Sequence, residues 1–241
     1  MRSWMIGLLA ATSIAAAPLV ASASSLEISP VNIEVSAPGA ASTVTLNNEG
    51  SDVINAQIRV FKWIQADGQD QLVPTKDVVA SPPAIKLGAG KTGVIRIVRL
   101  SKTPATTEET YRLIVDEVPK APKASQAGVG FAVRYSVPVF FSAAVTDGEL
   151  NWKASIMKGQ LRLMANNSGR RRVRLADLKI VNGGQTLNIG QGLAGYVLGQ
   201  SSKQWLVTGG AKKFAPGGTI KIIAKGDNGP IEATAKVVAA N

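Results

Sequence analysis

GVGFAVRYSVPVFFSA, residues 128–143, is the stretch on which the reading of the whole chain turns. Extended, it puts Val129, Phe131, Val133, Tyr135, Val137 and Val139 on one face and Gly130, Ala132, Arg134, Ser136 and Pro138 on the other, because strand side chains alternate. The first face is apolar throughout. Pro138 has no N–H to give to a ladder, so the strand is expected to end, bulge or run along a sheet edge there. An apolar edge strand invites aggregation unless something covers it, and the cover comes either from the chain itself or from another protein.

The chain opens with Arg2, an apolar run from Trp4 to Ala17, and Ala21-Ser22-Ala23 in front of Ser24. Residues 1–23 therefore read as a secretory signal peptide, and the apolar run is too short for a membrane span. No later segment has the unbroken apolar length of a transmembrane helix, so the product is expected to be exported and not membrane-embedded. The 241 residues carry no cysteine, so the exported protein relies on its core alone. The remaining length suits two ordinary domains. The net charge is +11, and removal of Arg2 with the leader leaves +10. Such a balance favours acidic partners without selecting one, and export makes nucleic acid the least fitting of them.

Histidine is absent as well, which removes Ser-His-Asp catalysis, histidine metal sites and the usual general base near neutral pH. Thiol chemistry and zinc clusters go with the missing cysteines. Asp116 and Glu117 are adjacent on a strand and face opposite sides, so they form no catalytic acid pair; ion-pairing with nearby arginines is their expected role. The loop GAGKTG at 88–93 lacks the phosphate-loop spacing and joins strand to strand, so it reads as a hairpin turn. A non-enzymatic, cofactor-free protein is the expectation.

From Ser25 onward short β-rich segments alternate with glycine, proline, asparagine and aspartate, and no helical periodicity is sustained. Leu26 and Ile28 share one parity, Pro30 interrupts, and Val31, Ile33 and Val35 continue on the other, which predicts a bend or a move between sheets at the proline. Further strands are expected over 42–46, 54–64, 84–87, 93–100 and 111–118, with a tight turn at Ala66-Asp67-Gly68. With the opening stretch, this predicts an immunoglobulin-like sandwich over residues 24–144. A second small sandwich is expected over 145–241, its strands including 185–189 and 195–198 as separate elements. In Arg170-Arg171-Arg172-Val173-Arg174 the arginines are expected on a solvated face, available to an acidic partner, with Val173 and Leu175 inward.

Four patterns carry a family likeness: ISPVNIEV at 28–35, NAQIRVFKWIQ at 55–65, SPPAIKLGAGKTGVIRI at 81–97, and TYRLIVDEVP at 110–119 followed by the opening stretch. Together they resemble the periplasmic chaperones of chaperone-usher pilus assembly, PapD-like proteins, and within them the archaic or alternative branch. The likeness covers the first domain; in the second it rests on size and β character. It implies an all-β fold of two immunoglobulin-like sandwich domains set at an angle around an interdomain cleft. It also implies a periplasmic, ATP-independent chaperone that lends a strand to incomplete pilus (pilin) subunits and passes them to an outer-membrane usher.

Carried onto this chain, the resemblance makes Val129, Phe131, Val133 and Tyr135 the subunit-binding face of the donor strand. Inserting two valines and a phenylalanine is worth roughly 4 to 9 kcal/mol gross, at ~1.5 to 3 each, partly offset by ordering and association. Periodicity alone reads the same face as part of the protein's own core. Family members anchor the subunit's terminal carboxylate with two basic residues, but Pro30 and Pro138 occupy those places here, with Asn32 nearby. The expected replacement is Arg112, with Arg134 second, on a hairpin that brings Arg112 near Arg134 and Tyr135. The alternative is an exported immunoglobulin-like structural or adhesive module that self-associates through an edge strand.

Overall fold

The computed structural model describes residues 25–103, 105–119, 132–142, 147–207 and 214–239. Every regular element in them is a strand. The first domain holds β1 (Leu26–Ser29), β2 (Ile33–Ser36), β3 (Ala41–Asn48), β4 (Ile54–Ala66), β5 (Gln69–Pro74), β6 (Val78–Ser81), β7 (Ala84–Leu87), β8 (Thr92–Arg99), β9 (Glu109–Glu117) and β10 (Arg134–Ser142). The second holds β11 (Leu150–Met157), β12 (Gln160–Asn167), β13 (Val173–Asn182), β14 (Gln185–Val197), β15 (Ser202–Val207), β16 (Thr219–Gly226) and β17 (Gly229–Ala239).

The first domain packs a sheet of order β1-β3-β8-β6 on one of order β2-β10-β9-β4-β5, with β7 also paired to β4. The parity change at Pro30 is the move between sheets that the sequence predicts: β1 pairs antiparallel with β3, and β2 pairs parallel with β10. Leu26, Ile33, Val44, Leu46, Ile95, Ile97, Leu113, Val115, Val137 and Val139 lie in one buried core, which is the alternation of six strands read from inside. The second domain strings its strands as β14-β13-β16-β17-β11-β12-β15 around a separate core that includes Leu161, Leu163, Leu175, Leu178, Ile180 and Ile222. The proposed domain boundary at 144/145 and the signal segment 1–23 fall outside the described residues.

Two departures from the sequence reading have clear causes. β5, QDQLVP, is exposed at every position and has no apolar alternation to announce it; it forms because the turn after Ala66 folds it back onto β4. Asp67 and Gly68, at φ 53° and 74°, supply the two left-handed residues of that turn. Residues 185–197 form one strand instead of two, since register shifts between β13 and β14 absorb the glycines that interrupt its pattern.

Among the described residues, each domain buries one asparagine. Asn48 donates from Nδ2 to the carbonyls of Asp52 (2.7 Å), Leu87 (3.2 Å) and Gly88 (2.9 Å), while its Oδ1 accepts from Gly50 N at 3.0 Å. Asn167 donates to Arg171 O (2.8 Å) and Val197 O (3.1 Å) and accepts from Glu149 N and Gly169 N. Both tie turn backbone to the end of a strand, Leu87 of β7 and Val197 of β14.

Candidate functional site

β10 is paired along its whole length on one side and half its length on the other. β9 runs opposite residues 134–141, from Arg134↔Asp116 to Phe141↔Glu109. β2 covers only Val139–Ser142. The outer edge of Arg134–Pro138 therefore has no strand beside it among the described residues, and the strand runs on through Pro138 where no outer N–H is needed.

Val137, Val139 and Phe141 are buried in the first-domain core, as their parity predicts. Tyr135 follows the same parity. Its half-buried ring packs against that core, its hydroxyl donates to Leu26 O on β1, and burial pushes the phenol pKa up. Val133 is half-buried, its carbonyl accepting from Glu117 N at 2.9 Å. Val129 and Phe131 lie outside the described residues.

The two candidate anchors are not neighbours. Arg134 stands opposite Asp116, whereas Arg112 stands opposite Pro138, four residues further along β10. The expected closeness of Arg112 to Arg134 and Tyr135 is corrected by this register. Arg134 is ion-paired to Asp116, which also accepts from Arg59 at 2.5 Å. Burial alone would raise the Asp116 pKa, but the hydrogen bonds from Arg134 and Arg59 outweigh it and hold the carboxyl below its usual value. Arg112 makes no ion pair among the described residues, and Asp70 acts on it only at longer range. Its guanidinium lies 3.8 Å above the Trp63 ring and donates to Ser136 O at 3.3 Å, and burial pulls its pKa down.

Trp63 and Phe140 have the wrong parity for the core of their own domain. They project from the outer face of the β2-β10-β9-β4-β5 sheet and close a small core between the domains with Tyr196 and Leu198. Ring centroids are 6.1 Å apart for Trp63–Phe140, 5.6 Å for Trp63–Tyr196 and 5.7 Å for Phe140–Tyr196. Around this core the domains exchange polar contacts. Gln65 donates to Tyr196 O at 2.7 Å and accepts from Leu198 N at 2.9 Å. Asp70 accepts from Lys203 (2.5 Å), Gln65 (2.8 Å) and Trp63 Nε1 (3.2 Å), bonds that outweigh its burial and keep its pKa below the usual value.

Arg172 overturns the expectation of a solvated arginine face. Its side chain is 3% exposed and pairs with Glu108 and Glu34 of the first domain, while Arg171 lies 3.6 Å from Glu34. The run thus holds acidic residues of the same chain. Val173 and Leu175 do turn toward the second core, and Asp116 is ion-paired with arginines, as expected. The sequence reading missed Trp63, Phe140, Glu108 and Tyr196; the parity break in KWIQ and the unbroken VFF run were the available signals. Among the described residues, no group of three or more acidic side chains could hold a metal ion.

Residues 25–144 match the family model of the pili and flagellar-assembly chaperone, PapD N-terminal domain. The chain belongs to the PapD-like pilus chaperones. In fold, the chaperone is similar to a chain of the CsuC–CsuE chaperone–tip adhesion subunit pre-assembly complex from the archaic chaperone-usher Csu pili of Acinetobacter baumannii. The two share 26% identity at a TM-score of 0.68, over 90% of this chain and 99% of that one. It is also similar to a chain of the SafA pilin–SafB chaperone complex of Salmonella enterica, at 19% identity and a TM-score of 0.61, over 88% and 97% of the two chains. No curated protein sequence matches it. The family is one of periplasmic, non-enzymatic pilus-assembly chaperones with two immunoglobulin-like domains, and the Csu likeness supports the archaic branch for this chain.

Proposed function

We propose that the chaperone binds pilus subunits lacking one strand by laying β10 and the residues before it into the gap. Val129, Phe131 and Val133 fill the subunit's groove, and Tyr135, packed on the chaperone's own core, marks where the filling ends. The observation that carries this reading is the outer edge of Arg134–Pro138, unpaired beside a strand whose inward face is apolar. Arg112 is the main anchor of the subunit's terminal carboxylate. Its guanidinium is held by stacking on Trp63, leaves most of its donors open and makes no ion pair among the described residues. Arg134, already paired with Asp116, acts second. The loaded chaperone delivers the subunit to an outer-membrane usher, and no nucleotide is consumed.

Co-expression with pilins encoded alongside it tests this reading: a soluble one-to-one complex recovered from the periplasm supports it. The same open edge would also serve self-association of an exported structural module, which predicts homo-oligomers and no subunit complex.

A further inference from the structure

The positive charge of the chain is concentrated in the second domain. Residues 24–144 carry 12 lysines and arginines against 11 acids, a net +1, whereas residues 145–241 carry 14 against 5, a net +9. Arg171, Arg172 and Lys203 are matched by first-domain acids across the interface. Several of the others gather on one surface.

That surface is the outer face of β17-β11-β12-β15. The register sets Val238, Ser155, Arg162 and Leu206 in one row across the four strands. Lys153, Met164 and Gln204 form the next row, Asn151, Asn166 and Ser202 the one after it. Lys236 lies two residues before Val238 on the same face, and exposed Lys158 sits in the turn between β11 and β12. None of these outward positions is acidic; the one acid on the outer face of β17, Glu232, lies four residues before Lys236 and is paired with Lys221 at 2.8 Å. Lys153, Lys158 and Lys236 have no ion-pair partner among the described residues, and Arg162 makes a 3.4 Å bond to Ser155 Oγ. Leu206 and Val238 stand 54% and 53% exposed among these cations. The inward face of the same strands is fixed by Leu161, Leu163 and the stacked pair Trp152–Trp205, so the surface is rigid. It borders the first domain at one hollow, where Arg162 and Met164 face Asp67 and Gly68.

We propose that this face docks on the headgroup plane of an anionic phospholipid bilayer. The composition decides between lipid and protein. Protein interfaces are rich in aromatic residues and arginine and poor in lysine, whereas this face has three lysines, one arginine and no aromatic side chain. Lysine stems lie along apolar surface while their ammonium groups stay with the headgroups. Each such charge adds to binding within a Debye length of an anionic leaflet, and Leu206 and Val238 reach the apolar boundary beneath. Neither the open edge of β10 nor Arg112 belongs to this face, so lipid docking and strand donation use different side chains.

Flotation of the full chain with vesicles tests the proposal without any subunit. The wild type binds vesicles of phosphatidylcholine with a third phosphatidylglycerol, releases at high salt, and ignores pure phosphatidylcholine. Lys153→Glu/Arg162→Glu/Lys236→Glu loses about tenfold or more of that binding. Lys86→Glu/Lys91→Glu/Lys102→Glu, with the same net charge but on the first domain, loses far less. Leu206→Ser/Val238→Ser, which leaves the charge intact, weakens binding severalfold. Circular dichroism confirms that each variant is folded. The proposal is overturned if the wild type does not float, if the two charge variants lose equally, or if the face is retained on polyglutamate beads but not on vesicles.

Discussion

The guanidinium of Arg172, on the second domain, lies 3.5 Å from the centroid of the Phe140 ring on the first. Phe140 belongs to the strand whose other end is open, so the surface that joins the domains and the edge offered to a partner share one rigid element. Arg172 also closes on Glu108, whose side chain is fully buried. Removing it leaves a buried carboxylate with only the more distant Arg171, at 3.9 Å, as a cation. Arg172→Ala should cost about 3–5 kcal/mol in denaturant unfolding. In a double-mutant cycle, adding Glu108→Gln should recover part of that loss; strict additivity of the two changes would contradict the pairing.

The buried asparagines supply a second stability test. Asn48→Ala takes the side-chain donor from the carbonyls of Asp52, Leu87 and Gly88, of which Gly88 keeps Lys91 N, and the acceptor from the Gly50 amide. The expected loss is about 3 kcal/mol, at ~1–3 for each buried group left unsatisfied and not rescued by water. A calorimetric scan in which Asn48→Ala melts like the wild type would place these loops in water instead.

Asp70 gives the interface a defined acid response. Its folded pKa is depressed below the unfolded value near ~3.9, chiefly by its hydrogen bonds to Lys203 and Gln65 acting against burial. A depressed carboxylate stabilises the fold fully above the unfolded pKa, and the contribution fades as pH falls through the folded value. The stability gap between wild type and Asp70→Asn should therefore be constant above about pH 5 and narrow below about pH 4. A gap that widens on acidification would reverse the assignment.

Arg112 and Arg134 separate anchoring from strand pairing. Arg112→Ala, whose side chain makes no ion pair among the described residues, should fold normally and lose about 1.5–3 kcal/mol of subunit affinity, the worth of a hydrogen bond to a charged group. A subunit whose terminal carboxylate is amidated should bind wild type and Arg112→Ala alike. Arg112→Ala/Arg134→Ala binding an unmodified subunit as tightly as the wild type, at equal folded yield, would remove both residues from the anchor.

Much of this arrangement was legible in the sequence because it rests on period-two patterns. The change of parity at Pro30 gave the strand that moves between sheets, and Val137, Val139 and Phe141 gave the core-facing half of β10. What was not legible depends on contacts between distant segments. β5 has no apolar pattern because its ladder and the polar bonds of Asp70 to Trp63 and Gln65, not apolar burial, hold it to β4. Arg172 reads as a surface arginine until Glu34 and Glu108 are brought to it from the other domain. The register that separates Arg112 from Arg134 by four residues of strand depends on where the hairpin pairs, which the loop sequence does not fix. Trp63 and Phe140, apolar on the face that should be solvated, were the one written sign of the domain interface.

Completion of a subunit by the chaperone's own strand is tested by Phe131→Arg. Capture of a strand-deficient pilin from the periplasm should be abolished while the variant stays monomeric and melts with the wild type. Capture at wild-type yield, or a first domain that unfolds on this substitution, would contradict the account, because Phe131 would then be either idle or part of the chaperone's own core.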